Sequence, residues 1–443
     1  MYNWLLNSCK NYRGLQLFCT FPQGDRERGI LTFMWKIILI VMAAGISNAA
    51  SQEPKLKPLF DGKSLKGWKQ CNGQASYKVE NKTITGATAE GSANSFLCSE
   101  KEYGNFLLEL EVNVDPELNS GVQIRSHQYK VATEVRTFNG KEVLTRTQPA
   151  GRVHGYQVEI ASEKSGASGG VYDEAGRGWL DNISSKEPSR TAFKDNQWNK
   201  YRVRAEGDHI QVWINGVPCA DLYDTQDASG FIALQVHAYK GPRRQVRFRN
   251  IQLAELAPTS WRAISDGKTM NGWETFGNGD WTLEAGAFHG SADPEKHKSG
   301  GYLLSRQSYG DFTLRYLYKI ERGNSGLFFR FAHPAQKVEG PRGYEVEIDP
   351  TRDVGGLQEI GRRGWVQHVD AETHNAVYKK DQWNEMVISA YGHRLVISVN
   401  GQKIIDRNDI DGVLNGLLAL QINARQKLDV WFKNLELLER GSK

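Results

Sequence analysis

Short runs of alternating hydrophobic and polar residues make up most of the chain beyond residue 50. Apolar side chains occupy every second position from Phe106 to Val112 and again from Ile210 to Ile214. A period of two places successive side chains on opposite faces of a β-strand. Gly, Asn and Asp separate the runs, and the Asn-Gly pairs at 215–216 and 400–401 favour tight hairpins. The pattern predicts an all-β protein built as antiparallel sandwiches or jelly rolls.

The chain also repeats itself, because the same landmarks occur twice in the same order. The Asp-Gly-Lys at 61–63 recurs 205 residues later at 266–268, and the Asn-Ser-Gly at 119–121 recurs at 324–326. Later landmarks keep their order at a shorter spacing, which indicates an insertion of about residues 129–152 in the first copy. We therefore predict two tandem domains, 50–256 and 257–443, with residues 129–152 as a surface loop.

The N-terminal 49 residues have a different character and are excluded from the fold. An apolar run from Ile37 to Ile46 follows Lys36 and ends in the small residues before and at Ala49. Ten apolar residues are too few to span a bilayer, and the layout is typical of a secretory signal peptide. We expect cleavage after Ala49, a periplasmic or secreted protein, and no membrane span in the mature chain.

The amino-acid composition and net charge limit which classes of molecule the protein is expected to bind. The 443 residues are 39% hydrophobic and carry a net charge of +5, and the five basic and two acidic side chains of residues 1–49 leave about +2 for the rest. Nucleic acid is therefore not an expected partner. The mature chain keeps three cysteines, so that Cys71 and Cys98 either pair or remain thiols beside Cys219.

Polar residues out of phase with the apolar ones are the candidates for a site, because they share the strand faces turned away from the core. Together with a Gly-rich segment at 169–179, they could line one cleft that takes a carbohydrate or glycoside. Alternatively, these residues are solvated, Arg125 and Glu159 form a cross-strand ion pair, or Trp179 packs under its own loop. The candidates are Gln123, Arg125, Gln157, Glu159, Tyr172, Asp173, Glu174, Arg177, Trp179, Gln235 and His237.

The second copy retains only part of this set. The groups that could transfer protons near neutral pH are replaced, with Tyr172 becoming Gln358, Glu174 becoming Ile360 and His237 becoming Asn423. We therefore predict that the first domain is active and the second is degenerate or a binding domain. The retained counterparts are Arg330, Glu347, Arg363, Trp365 and Gln421.

Other chemistries find little support in the sequence. It contains no Walker-type phosphate loop, His-Glu-x-x-His motif or Gly-x-Ser-x-Gly elbow. A divalent metal ion could be held by His237, Glu159 and a loop carboxylate, but their spacing is not diagnostic.

Taken together, the landmarks resemble those of the 3-keto-disaccharide hydrolase domain family, which has a concanavalin A-like jelly roll. The resemblance implies two tandem jelly rolls in a secreted bacterial protein that acts on sugars oxidised at C3. The motifs that carry it include Leu59-Phe60-Asp61-Gly62-Lys63, Asn119-Ser120-Gly121-Val122, Gly155-Tyr156-Gln157-Val158-Glu159-Ile160, Gln197-Trp198-Asn199 and Leu234-Gln235-Val236-His237.

A ketone at C3 acidifies the proton at C2, so that a base can remove it and the group at C1 can depart by elimination before water adds. By strand face we assign His237 or Glu159 as the base and Glu174 or Tyr172 as the acid. Arg125 or a divalent metal would stabilise the oxyanion. The alternatives are a lectin-like protein that binds carbohydrate without catalysis and a structural surface or adhesion module, because a jelly roll does not fix function.

Overall fold

A computed structural model describes residues 53–138, 142–333, 342–423 and 426–439. The expected signal peptide lies outside these ranges. Within them, no helix is long and apolar enough to cross a membrane.

Strands make up nearly all of the regular secondary structure in the first half of the described chain. A short 3-10 helix, Ser189–Thr191, interrupts them. The strands are β1 (Lys57–Pro58), β2 (Trp68–Cys71), β3 (Ser76–Glu80), β4 (Thr83–Ala87), β5 (Ser95–Tyr103), β6 (Phe106–Val114), β7 (Ser120–Gln128), β8 (Thr133–Phe138), β9 (Val143–Gln148), β10 (Val153–Ile160), β11 (Val171–Glu174), β12 (Gly178–Asp181), β13 (Asn199–Glu206), β14 (His209–Ile214), β15 (Val217–Tyr223), β16 (Gly230–Val236) and β17 (Gln245–Glu255).

The second half is built in the same way and adds one short helix, α1 (Ala371–Val377), which Asp370 caps by accepting from the Thr373 N–H. Its strands are β18 (Arg262–Ala263), β19 (Trp273–Gly277), β20 (Asp280–Glu284), β21 (Ala287–Ala292), β22 (Gly301–Tyr309), β23 (Phe312–Arg322), β24 (Ser325–Phe331), β25 (Gly343–Ile348), β26 (Leu357–Ile360), β27 (Gly364–Gln367), β28 (Asn384–Tyr391), β29 (Arg394–Val399), β30 (Gln402–Asn408), β31 (Gly416–Ile422) and β32 (Leu428–Leu438).

Each half pairs its strands into two antiparallel sheets with the same topology. In the first half one sheet has the order β15-β14-β13-β6-β17-β4-β3 with β1 on β17, and the other has the order β12-β11-β10-β7-β16-β5-β2. The second half has β30-β29-β28-β23-β32-β21-β20 with β18 on β32, and β27-β26-β25-β24-β31-β22-β19. The predicted all-β fold of two tandem jelly-roll sandwiches is confirmed. We call the β12-to-β2 and β27-to-β19 sheets the site sheets.

The core of each half lies between its two sheets, where the alternating apolar residues meet. In the first half, Leu108, Leu110 and Val112 from β6 pack with Val122 and Ile124 from β7 in one buried cluster. A separate cluster on the second half's strands is built in the same way. The two-residue period therefore fixes which face of each strand is buried between the sheets.

The insertion predicted as a surface loop contains a β-hairpin instead. Strands β8 and β9 pair with each other and with no other described strand. The Thr137 hydroxyl donates to the Gly176 carbonyl (2.9 Å) and the Tyr129 hydroxyl to the Ala175 carbonyl (3.1 Å). The hairpin is thereby fixed against the turn between β11 and β12.

All three cysteines of the described chain are free thiols. Cys71 and Cys98 are buried next to each other, whereas Cys219 is half-buried. Hydrogen bonding with Cys71 and burial raise the pKa of the Cys98 thiol.

Candidate functional site

The outward face of the first half's site sheet is buried rather than solvated. On β10, Tyr156 and Val158 point into the core, while Gln157 and Glu159 lie on the opposite face and are only 3% and 7% exposed. Gln123 on β7 and Gln235 on β16 share that face and are fully buried. Buried polar groups are costly unless they are hydrogen bonded, so their partners define what this face does.

The three glutamines form a ladder that ends on Glu159. The Gln123 and Gln235 side-chain amides both donate to Gln157 Oε1, each at 2.7 Å. Gln157 Nε2 in turn donates to Glu159 Oε2 at 3.0 Å. Because two donors meet its oxygen, the Gln157 amide has one orientation, with its N–H aimed at the carboxylate. Gly121 makes room for it, since a Cβ there would lie 2.5 Å from Gln157 Cγ and Cδ.

Glu159 is the buried carboxylate of this face. The Asn119 side-chain amide donates to Oε1, so both oxygens of Glu159 accept from amides. Burial raises the pKa of Glu159 above its ordinary value, although the two amide donors and the nearby His237 act in the opposite direction. A carboxylate with a raised pKa is a stronger base than an exposed one.

His237 stands beside Glu159, just beyond the end of β16. Its Nδ1 lies 2.7 Å from the Ala238 carbonyl oxygen. A carbonyl can only accept, so Nδ1 carries the proton and Nε2 of the neutral ring has a free lone pair. This tautomer makes Nε2 a candidate proton acceptor.

Strand β11 contributes two further groups to the same face. Tyr172 pairs in register with Gln157, and Glu174 follows two residues later. Burial raises the pKa of the Tyr172 phenol, which keeps its proton near neutral pH. Glu174 accepts from Arg152 and from the Asn94 side-chain amide. Trp179, which is 40% exposed, contacts the Tyr172 ring edge-on at 5.2 Å and also lies against Gly170 of its own segment, so it borders this face.

Arg125 does not belong to this group, although strand alternation placed it with Gln123. It adopts a positive φ of 46° where the β7 pairings with β10 and β16 shift register. The bulge redirects its side chain to the end of the sandwich, where it donates to the Gly104 and Gly207 carbonyls at 2.8 and 2.6 Å. Arg125 fastens turns together and is not placed to stabilise an oxyanion.

Asp173 and Arg177 are likewise turned away from the candidate site. Arg177 Nε donates to Asp173 at 2.7 Å, and its two terminal nitrogens donate to Asp224 at 2.8 and 3.1 Å. Tyr156 also donates to Asp224. Burial alone would raise the pKa of Asp224, but Arg177 holds it below its ordinary value. This buried ion network supports the fold beside the site and is not placed for substrate binding.

The second half repeats the structural parts of this arrangement. Arg330 donates to the Gly310 and Gly392 carbonyls, as Arg125 does to their counterparts. Arg363 pairs with Glu359 and Asp409. On the site sheet, Glu347 accepts from Asn324 and from Gln358 Nε2 (2.7 Å). Trp365 and Gln421 line a cavity on that face.

The residues proposed for a divalent metal do not form a metal site. Within the described ranges, no group of three or more His, Cys, Asp or Glu side chains is arranged to hold an ion. The oxygens of Glu159 and Glu174 accept from amides and a guanidinium, as described above.

The structure adds three residues to the first site: Asn94, Asn119 and Arg152. Asn119 carried a signal, because it belongs to an Asn-Ser-Gly motif repeated in both halves. Arg152 and Asn94 lie in irregular segments, where strand periodicity does not indicate direction.

Comparison with known proteins relates both halves to one family. Residues 55–254 and 260–438 match a domain described as 3-keto-alpha-glucoside-1,2-lyase-like. A Bacteroides thetaiotaomicron protein named 3-keto-disaccharide hydrolase is 38% identical over 74 residues, which are 15% of this chain and 26% of that protein. The match thus spans about a quarter of the relative's length.

Similar solved structures each cover less than half of this chain. A carbohydrate binding module from Bacillus subtilis has 21% identity and a TM-score of 0.32, and the match covers 40% of this chain and 100% of that one. A putative glycosyl hydrolase from Parabacteroides distasonis has 19% identity and a TM-score of 0.29, over 40% and 98% of the two chains.

Proposed function

Because the chain belongs to the 3-keto-alpha-glucoside-1,2-lyase-like domain family in both of its halves, we propose that its first half cleaves glycosides that carry a ketone at C3. This membership confirms the resemblance seen in the sequence motifs. The observation that carries the proposal is the grouping of a base, a buried carboxylate and a phenol on one site sheet. They are His237, Glu159 and Tyr172.

The reaction begins with proton transfer from C2 of the sugar to His237 Nε2. The electron pair of the broken C2–H bond moves into an enediolate with the C3 ketone. Glu159 lies beside the imidazolium that forms and stabilises its charge, as a carboxylate does in other His-based sites. Arg152, whose guanidinium donates to Glu174 on the same face, offers a positive charge to the enediolate oxygen.

Elimination completes the cleavage. The C1–O bond breaks as the enediolate electrons form the C1–C2 double bond and restore the C3 ketone. Tyr172 gives its proton to the departing oxygen, and the proton that His237 took from C2 then returns through water to the phenolate, which restores both side chains. Where water then adds across the double bond, the net result is hydrolysis, and without that step it is a lyase reaction. Glu174 anchors Arg152 in this scheme.

The second half is proposed to bind carbohydrate without performing this chemistry. Its site sheet has Gln358, Ile360 and Asn423 where the first has Tyr172, Glu174 and His237. Neither an amide nor an alkyl side chain transfers protons near neutral pH. This contrast also supports the lectin-like alternative for the second half.

The test is incubation of the purified protein with a 3-keto-glucoside and with its unoxidised parent, following release of the leaving group. We expect turnover of the keto form alone. His237→Ala should lower kcat by roughly 10²- to 10⁴-fold, the usual contribution of a general base.

His209→Ala is the matched control, because His209 lies on β14 in the other sheet. Binding of both glucosides without turnover would contradict the proposed enzyme activity and favour the lectin-like function. Loss of turnover on adding a chelator would assign the oxyanion to a divalent metal instead of Arg152.

The proposal includes export of the protein. N-terminal sequencing of the chain recovered from the periplasm or the culture medium should begin at Ala50. Recovery of the uncleaved chain from the cytosol would contradict it.

A further inference from the structure

The second half's site sheet carries a cavity of about 620 Å³, and the described side chains that line it include more acidic than basic groups. Four carboxyl side chains line it: Glu345, Glu347, Asp349 and Asp353. Among the described residues, Arg352 is the only basic side chain that lines it, and its side chain is 77% exposed and 3.8 Å from Asp349.

Most of this acid is specific to the second half. Glu347 corresponds to Glu159, but Glu345 replaces Gln157. Asp349 and Asp353 stand where the first half has Ala161 and Ala167. The second site has thus gained three carboxyls while losing the histidine and one carboxyl, since Ile360 replaces Glu174, and a difference in charge of this kind selects for a different ligand.

Glu345 is the residue that points to a ligand. It is 4% exposed, and no described side chain or backbone group is hydrogen bonded to it. Its counterpart Gln157 receives two amide donors, but one of them, Gln123, is replaced here by Phe328. Gly326 leaves the space that Glu345 occupies, since a Cβ there would lie 2.4 Å from its Oε1. A buried carboxyl that lines a cavity without a partner is costly, and a bound donor would remove that cost.

A second unsatisfied acceptor lies in the same cavity. Gln421 Oε1 is buried without a hydrogen-bond partner, as is its counterpart Gln235 Oε1 in the first half, so that Glu345 is the open acceptor that distinguishes the two sites. The other carboxylates are engaged: Glu347 by Asn324 and Gln358, Asp349 by the Thr351 N–H and hydroxyl, and Asp353 by the Val369 N–H at 2.9 Å and by His368 Nδ1 at 3.1 Å. The open acceptors therefore call for a ligand that brings several donors and a positive charge.

We propose that this cavity binds a sugar through a protonated amino group, that is, an amino sugar with its amine free. An ammonium supplies three donors and one charge to Glu345 and its neighbours. Trp365, which is 38% exposed and lines the cavity, stacks on the His368 ring at 4.0 Å and offers its remaining apolar ring surface to the sugar. The inference rests on the proposed function only in taking the ligand to be a carbohydrate.

The test is calorimetric titration of the full chain with three matched disaccharides: the β-1,4 dimer of glucosamine, its N-acetylated form and cellobiose. The three differ only in the substituent at C2. We expect the free amine to bind at least roughly tenfold more tightly than either neutral sugar, the effect of one charge-assisted contact. Glu345→Gln, which restores the first half's residue, should remove this preference.

Asp349→Asn is a second variant that should weaken the preference for the free amine without altering the buried Glu345. Glu163→Gln in the first half is exposed and serves as the control. Equal affinity for all three sugars, or binding of Ca²⁺ at Glu345 with no preference for the amine, would overturn the inference. Release of the leaving group from a 3-keto-glucoside, measured on the same samples, reports on the first half separately, so the two proposals can fail independently.

Discussion

Arg125 and Arg330 occupy corresponding positions in the two halves, and each is fully or almost fully buried. Both adopt a positive φ, 46° and 49°, and both bond to carbonyls of the turns that close one end of the sandwich. Because a half that has lost the proton-transfer groups keeps this arrangement, it belongs to the architecture and not to the chemistry.

Arg125→Leu should therefore destabilise the protein. It leaves the Gly104 and Gly207 carbonyls without a donor, which costs roughly 3 kcal/mol in the free energy of unfolding. The measurement is the denaturant midpoint, with Arg243→Leu, at an exposed arginine, as control. If Arg125→Leu left stability unchanged and selectively lowered kcat, Arg125 would have the catalytic role predicted from the sequence.

Glu345 gives the stability of the protein a pH dependence. Burial, followed by the nearby Glu347, raises the pKa of Glu345 well above 4.5. The folded state thus keeps the Glu345 proton to a higher pH than the unfolded chain does. The contribution of Glu345 to the free energy of unfolding therefore falls as pH rises above about 4.5. Glu345→Gln should raise Tm by a few degrees at pH 8 and by less near pH 4.

The check is a series of thermal melts of both proteins across this pH range. Gln157→Glu is the mirror variant, and it should make the melting temperature fall more steeply with pH. A constant difference between Glu345→Gln and the native protein at every pH would show that Glu345 does not titrate in this range.

At the scale of elements, Glu159 is positioned by the close approach of the β7 backbone at Gly121 to the Gln157 side chain on β10. Gly121 on β7 pairs in register with Glu159, and the adjacent Gln157 side chain lies over the space that a Cβ would fill. The site therefore depends on a residue that carries no functional group. The same device recurs between Gly326 and Glu345.

Gly121→Ala should impair turnover more than folding. The added methyl displaces Gln157, so that Glu159 loses a donor and shifts relative to His237. We expect kcat to fall by roughly tenfold to a hundredfold, as for other small misplacements. Kinetics and unfolding midpoints should be compared with those of Gly104→Ala, where a Cβ approaches nothing nearer than 3.4 Å. Equal effects of the two variants would exclude a positioning role.

At the scale of the whole molecule, polar contacts join the two sandwiches. Asp208, which is 2% exposed, accepts from the Thr313 hydroxyl at 2.6 Å and the Ser389 hydroxyl at 3.2 Å. The Tyr223 and Tyr391 rings stack at 5.0 Å. Because these contacts are buried or closely packed, we expect the halves to unfold together.

Calorimetry should show one cooperative unfolding transition for the native chain. Asp208→Ala removes a carboxylate that serves both halves, and it should broaden the transition or divide it in two. Glu90→Ala, at an exposed residue, should leave the profile unchanged. Two transitions in the native protein would show that the halves are energetically independent.

The alternation of residues by itself determined the strands and the faces that form the cores, and the repeated motifs determined the duplication. These depend on local geometry, since a strand must turn every second side chain inward to bury it. The sequence also grouped Gln123, Gln157, Glu159 and Gln235 on one face, because all four lie on regular strands.

Only the tertiary structure decided what that face does. Its burial and glutamine ladder require three neighbouring strands, and the direction of Arg125 depends on a bulge that interrupts the two-residue period. Arg152 reaches the site from an irregular segment, and Glu345 lacks a partner because Phe328 replaces Gln123 on the neighbouring strand. A pattern of polar and apolar positions carries no information about such contacts, because they depend on residues far apart in sequence.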